Sequence, residues 1–577
     1  MRLSTTETEE LDWEHVVAID FGTTRTGYGF ASKEDRKEVE IQMKWKGNSD
    51  SSYKNLTAIL YETEPELKAV AWGYEAQALR KRKIMKKENN FEIIQDFKLE
   101  LKKLEDPSNK MPTVKIGKSE RTIVQLIGDF LHLVKLDIQE NHPNLDLNKT
   151  KWCLTVPAIW NDEMKEAMRL AAENAGIINQ KYKINSQFTL ALEPEAAAVC
   201  CLKNNTIQLN DGDSFVVVDA GGGTVDITSY KIQDSKLFQQ FRASGGACGG
   251  TSVDRKFWEY IDSRFSSAFA IQNFTDCKLR PLPGFCDLFY SWENSKKFFE
   301  PKNPDLVSIS IPNPVNRVIS KEIVNAKALE DFSDFYDEDS SSFTFPPDVM
   351  ASFFDESIDE TLQYAEEAID ETLSVSSLNS IDYLMLVGGY ASSSILQNAI
   401  ETSSFRKKVN KILIPYNSGT SIVAGAVYFA MNPEIVSKRR SNFTYGIVGR
   451  ALYNAEYHSD ASPSDIFNLQ GETWVNFFYD FVKINQEIDT GSSIERMFPL
   501  DDLCRSNGIH IRIKKSRKAN PRYESETEEL GSVVLRAPSS MSISVDFVFG
   551  GTQLIVSAVS DSGESVETSV TYNSLSN

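Results

Sequence analysis

Two stretches of this 577-residue chain place a carboxylate at the mouth of a glycine-containing turn. From Phe215 to Tyr230 the sequence reads FVVVDAGGGTVDITSY: an apolar run, Asp219, then Gly221, Gly222, Gly223 and Thr224, then a second run. In that second run Val225, Ile227 and Ser229 alternate with Asp226, Thr228 and Tyr230. The valine-rich first run and the period of two in the second predict two strands joined by the glycines. Val16 to Phe30 repeats the arrangement as VVAIDFGTTRTGYGF, with Asp20 aligned on Asp219 and Gly22 on Gly221. Glycine lets backbone N–H groups approach a phosphate closely, and consecutive N–H groups make an anion-binding concavity. A carboxylate beside such a turn can hold Mg2+ directly or through water. A single copy has an equally ready explanation as an ordinary glycine hairpin. Two copies imply two related lobes that grip one nucleotide between them.

Other phosphate-binding folds are excluded. No GxxxxGK[ST] occurs, and the glycines lead into a strand pattern, not into the helix that a dinucleotide fingerprint opens. The length predicts several domains. Apolar content of 41% and charged content of 25% are those of a globular protein. A net charge of −20 argues against non-specific binding to nucleic acid or anionic membrane, both of which need basic surface. Seven cysteines without a CxxC spacing give neither a zinc site nor a disulfide framework. The acidic start is no signal peptide, and no apolar run approaches a membrane span. A reducing compartment, cytoplasmic or nuclear, is expected.

In chain order, residues 1–14 read as a disordered tail and Thr57 to Tyr61 as a short strand. Ala76 to Glu105 reads as mainly helical, with Lys98 in a lysine-rich run that spacing alone would leave in solvent. Trp152 to Pro157 is a buried strand, and Asn161 caps the helix after it. Glu193, ahead of Pro194, starts an alanine-rich helix, where a carboxylate can orient water or Mg2+ or simply favour the helix terminus. An acidic, serine-rich stretch between Glu330 and Pro347 reads as a mobile surface loop. After the small-residue helix Ile422 to Met431 comes a polar, basic connection, residues 432–441. From about residue 442 short strands and turns predict a β-sandwich: Tyr445 to Val448, Trp474 to Lys483, Ile509 to Lys514, Gly531 to Leu535, Ser542 to Phe549, Gln553 to Val559 and Ser565 to Tyr572.

The series IDFGTTRT, DFK, VPAIWNDEMKEAMRLAAENAGI, LEPEAAAV, VVDAGGGTVDIT, ASGGACGG and LMLVGGYASSSIL resembles the nucleotide-binding domain of the seventy-kilodalton heat-shock chaperones, and its divergence is similar to the atypical twelve A and B branch. The resemblance implies an α/β, two-lobed actin-like ATPase fold with duplicated ribonuclease-H-like lobes over residues 15–437. A small β-sandwich-like domain over 438–577 then resembles the chaperones' substrate-binding domain. The implied cofactors are ATP or ADP and Mg2+. The family's pattern puts Asp20, Glu193 and Asp219 around the metal and its waters, with Asp20 and Asp219 as the metal residues. It puts Gly22, Thr23, Thr24, Gly221, Gly222, Gly223 and Thr224 around the phosphates, with Thr224 also counted as catalytic. Lys98 is placed by the attacking water, and Gly249 and Gly250 in a further phosphate-side turn. Glu293, Lys296 and Lys297 fall on the helix that holds adenosine, with Gly388 and Gly389 beneath it.

The chain departs from that pattern at Ser392, where an arginine stacks on adenine, at Gly419, where an acidic residue is expected, and at Arg25. The basic connection replaces a linker of leucines and aspartates. No length remains after the β-domain for a helical lid, so weak trapping and fast release of any client are expected.

The implied function is a slowly hydrolysing, chaperone-like ATPase that couples nucleotide state to the β-domain. A nucleotide-gated scaffold with little hydrolysis is the alternative. A small-molecule kinase of the same fold lacks a recognisable sugar-binding carboxylate. Expected partners are unfolded peptides or one specific protein at 442–577, together with co-chaperones. Nucleic acid and membrane are not expected partners, and the chain is expected to be a monomer.

Overall fold

The computed structural model describes residues 9–569 apart from 35–37, 107–109, 204–208, 270, 327–331, 333, 377, 416–417, 501–507, 537–539 and 550–553. Each glycine hairpin seeds a sheet. His15–Phe21 pairs antiparallel with Arg25–Ser32, and on its other side parallel with Thr150–Val156, which pairs with Phe188–Leu192. Ser214–Ala220 pairs antiparallel with Val225–Gln233, and on its other side parallel with Ile381–Val387, which pairs with Val409–Leu413. The two sheets therefore share one strand order and one set of directions. Thr150–Val156 and Ser214–Ala220 are buried along their whole length, as strands covered on both faces are.

Two helices of small residues close the space between the sheets. Glu193–Lys203 and Ser418–Met431 cross so tightly that a Cβ on Gly425 would lie 1.7 Å from the Ala196 carbonyl oxygen. This packing explains the alanine and glycine content of both helices better than helix propensity does.

The basic connection is a strand. Val436–Arg440 adds in parallel to Lys236–Gly246 at the edge of the second sheet, and Glu487–Asp489 continues the sheet beyond it. Arg439 turns inward and makes a two-pronged ion pair with Glu195, at 2.6 Å and 3.1 Å. The C-terminal part forms two antiparallel sheets, one centred on Thr444–Leu452 and Ile509–Ser516, the other on Ser542–Phe549. Ile447, Ile511, Ile513, Val545 and Val556 fill one core between them, where Phe481 stacks on Phe547 at 4.2 Å. This part is clasped to the helix Asp162–Asn174 by Lys515, which donates to both carboxylate oxygens of Glu163 at 2.9 Å and 3.2 Å. Among the described residues no helix is long and apolar enough to cross a membrane.

Several expectations need correction. Residues 1–8 of the expected tail lie outside the described residues, but 9–14 are held. Glu9 exchanges backbone hydrogen bonds with Lys181 and Lys183, and Leu11 is buried. In the acidic stretch before Pro347, of which residues 330, 331 and 333 lie outside the described residues, Asp337 to Ser340 are exposed as expected of a surface turn, but aromatic residues on either side anchor it. Phe332, Phe335, Phe343 and Phe345 enter a core with Phe257 and Trp292, and Ser342–Phe345 pairs with Val307–Ser310. Residues 76–105 contain one helix, Gly73–Met85, then the strand Phe91–Gln95 and a 3-10 turn from Phe97 to Glu105. The expected strand from Gln553 starts at Ile555 after undescribed residues, and that from Ser565 is described to Ser569.

Candidate functional site

The two hairpin tips meet. A Cβ on Gly223 would lie 2.3 Å from Thr23 Oγ1, and one on Gly222 would lie 2.7 Å from Thr24 Oγ1. The first tip is braced by Thr57, whose hydroxyl donates to the Gly22 carbonyl at 2.8 Å and whose N–H donates to the Thr24 carbonyl at 2.9 Å. The second tip is closed by the Gly221 N–H on the Thr224 carbonyl, 2.9 Å. Gly249 and Gly250 lie against this second tip. There the N–H groups of Gly250 and Thr251 donate to the carbonyls of Gly221 and Gly222, so both are spent within the protein. Gly388 has φ +93°, and a Cβ there would stand 2.4 Å from Asp219 Oδ1. Only glycine combines that backbone with that approach. Gly389 faces open space.

Four carboxylates and two ammonium groups converge beside the tips. Asp20 Oδ1 accepts from the Thr155 hydroxyl at 3.0 Å, and its Oδ2 pairs with Lys54 Nζ at 2.6 Å. Lys98 is buried, 4% exposed, which corrects its expected place in solvent. Its ammonium donates to the Phe21 carbonyl at 2.6 Å and to Glu193 Oε1 at 3.0 Å, and lies 5.0 Å over the Trp160 ring. Asp226 Oδ1 accepts from the Ile159 N–H at 3.0 Å. Asp219 is also buried, and neither of its carboxylate oxygens has a hydrogen-bond partner among the described residues.

The electrostatics follow from this crowding. Burial, reinforced by the charges of Asp226 and Asp20 and opposed by Lys98, pushes Glu193 up to about 7. Burial, then the neighbouring Glu193, Asp226 and Asp20, holds Asp219 well above the ordinary carboxylate range. Burial alone would lower Lys54, but Asp20, Glu193 and Asp219 outweigh it and raise this lysine.

The residues fit a hydrated magnesium ion. Two buried carboxylate oxygens on Asp219 lack partners, and the donors are all oxygen. Among the described residues no three His, Cys, Asp or Glu side chains form a cage able to hold an ion unaided. Mg2+ keeps several waters and takes one or two carboxylates together with substrate phosphates.

The expected adenosine side is partly assembled. Lys296 lies between Asp254, at 2.5 Å, and Glu293. Burial would lower the Lys296 ammonium, yet Asp254 and Glu293 together raise it. Trp292 fixes Asp254 with an indole N–H bond of 2.6 Å. Lys297 does not join them: it is exposed and turned over the Phe298 ring. Ser392 closes its own turn, its hydroxyl donating to the Gly389 carbonyl at 3.0 Å.

Sequence reasoning missed Lys54, Asp226 and Asp254. Asp226 was detectable, because a hairpin around the glycines puts it opposite Asp219 in register. Lys54 and Asp254 left no signal, since each reaches the site from a distant segment. The expected site residues otherwise come together, Lys297 apart. A cleft of about 1150 Å³ runs from Thr23, Lys98 and Thr224 to Phe443 and Arg517 of the C-terminal part.

The family described as Hsp70 protein matches residues 77–280. Over 550 residues the chain is 25% identical to Heat shock 70 kDa protein 12A of Mus musculus, covering 84% of this chain and 79% of that protein. It is 25% identical over 554 residues to Heat shock 70 kDa protein 12B of Homo sapiens, covering 85% and 79%. A Chaperone protein HscA homolog of Rickettsia felis is 26% identical over 269 residues, covering 45% of this chain and 38% of that protein.

Proposed function

Because this chain belongs to the Hsp70 superfamily and is similar to the 12A and 12B proteins over most of its length, we propose that it binds ATP–Mg2+ between the two hairpins, hydrolyses it slowly and couples the bound state to the C-terminal β-domain. One observation carries this reading: the buried, unpartnered carboxylate of Asp219 beside two touching glycine tips. The repeated strand order of the two sheets supports a duplicated, two-lobed actin-like fold. The shared core of the last two sheets supports a β-sandwich.

Bound metal would neutralise phosphate charge and polarise the transferred group. The chain's own residues do the positioning. Thr23, Thr24 and the two glycine tips shape the phosphate pocket. Asp20 and Asp219 offer oxygens to the metal's water shell. Lys98 holds Glu193 in place and presents positive charge to the transferred phosphoryl group. Glu193, when ionised, orients the attacking water and receives its proton. Glu293 and Lys296 face adenosine. Clients, co-chaperones and compartment follow from the resemblance alone and belong to the proposal.

The test is ATP–Mg2+ binding and single-turnover hydrolysis for the wild type beside Asp20→Asn. Absence of binding removes the reading. Binding with cleavage no faster than that of Asp20→Asn favours the nucleotide-gated scaffold. That second reading is motivated by Ser392, which leaves adenine without a stacking cation, and by the charged linker strand.

The rate is expected to rise with pH and level off. Glu193 is raised by burial, so it is protonated below its midpoint and ionised above it. The inflection falls at or below about 7, because an added cation favours the carboxylate. Glu193→Gln is expected to abolish the inflection in a single-turnover pH profile.

Two side-chain contacts tie the helix Gly73–Met85 to the helix Phe285–Lys297, which carries Glu293 and Lys296. The Tyr290 hydroxyl donates to Gln77, and Lys81 pairs with Asp287 at 2.6 Å. Tyr290→Phe combined with Lys81→Ala is expected to speed ADP release about three- to tenfold, from one lost hydrogen bond and one exposed ion pair. Displacement of a fluorescent ADP analogue measures it. An unchanged rate would show that these contacts do not gate release.

A further inference from the structure

Lys54 stands where no expectation put a cation. It belongs to the segment whose Asn55 and Leu56 pair with Thr26 and Arg25 of the first hairpin. From there its ammonium reaches Asp20 Oδ2 at 2.6 Å. Gly27 opens the path: it is the register partner of Asp20, and a Cβ there would lie 3.1 Å from Lys54 Cγ and 2.8 Å from the Tyr53 carbonyl oxygen. The lysine stem therefore passes through a slot kept clear by a missing side chain, directly across the strand pair from the carboxylate it meets. The ammonium also lies within electrostatic reach of Glu193 and Asp219. Lys54 is largely buried, its side chain 17% exposed, and Asp20 is 2% exposed, so this is no surface ion pair weakened by solvent.

Building on the nucleotide reading, we propose that Lys54 is a resident cation of the phosphate site, able to stand in for part of the charge that a divalent ion supplies. Four carboxylates beside the hairpin tips would repel a polyphosphate. Lys98 offsets this from the Glu193 side and Lys54 from the Asp20 side. With both ammonium groups built in, nucleotide phosphate meets a site that already carries fixed positive charge. Dependence of binding on divalent metal is correspondingly weak. Removing Lys54 takes away the fixed positive charge on the Asp20 side and makes binding strictly metal-dependent.

The test is ADP affinity of the full-length chain, by calorimetry, in magnesium and in excess EDTA. The wild type is expected to lose no more than about tenfold on metal removal, and Lys54→Met more than about a hundredfold. In magnesium the two are expected to agree within about tenfold, and Lys54→Arg to restore metal-independent binding in part. Equal magnesium-to-EDTA ratios in wild type and Lys54→Met would overturn the proposal. A loss of more than about a thousandfold by the wild type itself would do the same without any variant having to fold. A wild type that binds no ADP even in magnesium would remove the nucleotide reading, and this inference with it.

Discussion

Lys98→Ala is expected to lower single-turnover ATP hydrolysis about a hundred- to a thousandfold while ATP affinity changes by about tenfold or less. The asymmetry comes from where the ammonium sits. It is held by the Phe21 carbonyl and Glu193 beside the hairpin tips proposed to shape the phosphate pocket, and the Trp160 face covers it. A fixed, largely buried charge acts on the charge that develops during phosphoryl transfer and needs no reorganisation when the reaction occurs. The ground-state nucleotide keeps the remaining contacts of both tips. Loss of Lys98 also removes a positive charge that opposes the upward push of burial on Glu193, which shifts this carboxylate towards its protonated form. Both effects lower the rate. Equal turnover by Lys98→Ala and wild type would mean that Lys98 has a purely structural role, and a loss confined to affinity would place it among the binding groups.

Lys515→Met is expected to destabilise the protein by about 3–5 kcal/mol and to loosen the β-domain from the nucleotide side. Lys515 and Glu163 are 3% and 4% exposed, so a single substitution removes the ammonium that meets both oxygens of a buried carboxylate. The double variant Lys515→Met/Glu163→Leu removes both charges and is expected to recover most of the loss. Denaturant midpoints for the wild type, the two single variants and the double measure the cycle, and protease sensitivity reports the undocking. A double variant no more stable than Lys515→Met would show that packing around the pair, not its charge, holds the clasp. A lysine with the Phe443 ring 4.9 Å away makes that a fair contest.

The C-terminal strands were legible because alternation survives in short, half-buried strands such as Ser542–Phe549, where Ile543, Val545 and Phe547 face one core. The stretch before Pro347 was misread because acid and serine dominated its composition while its phenylalanines decided its fate. Burial of a few aromatic rings outweighs several solvated polar neighbours that cost nothing to leave in water. The basic connection was equally opaque. Its inward arginine is tolerated only because Glu195 meets it, and no local pattern announces a partner on a distant helix.

By itself the sequence determined the two hairpins, their carboxylates and the small-residue helices, because strand alternation, glycine turns and tight helix crossings are written in consecutive residues. The register that sets Asp226 across from Asp219 also follows from the hairpin alone. Only the tertiary structure decided which ammonium groups share the site. Lys54 and Lys98 reach it from separate segments, and Lys297 beside Lys296 turns away. A lysine's charge and long stem are the same in every sequence context. Whether it stays in solvent or is drawn inside depends on the carboxylates that folding assembles around it.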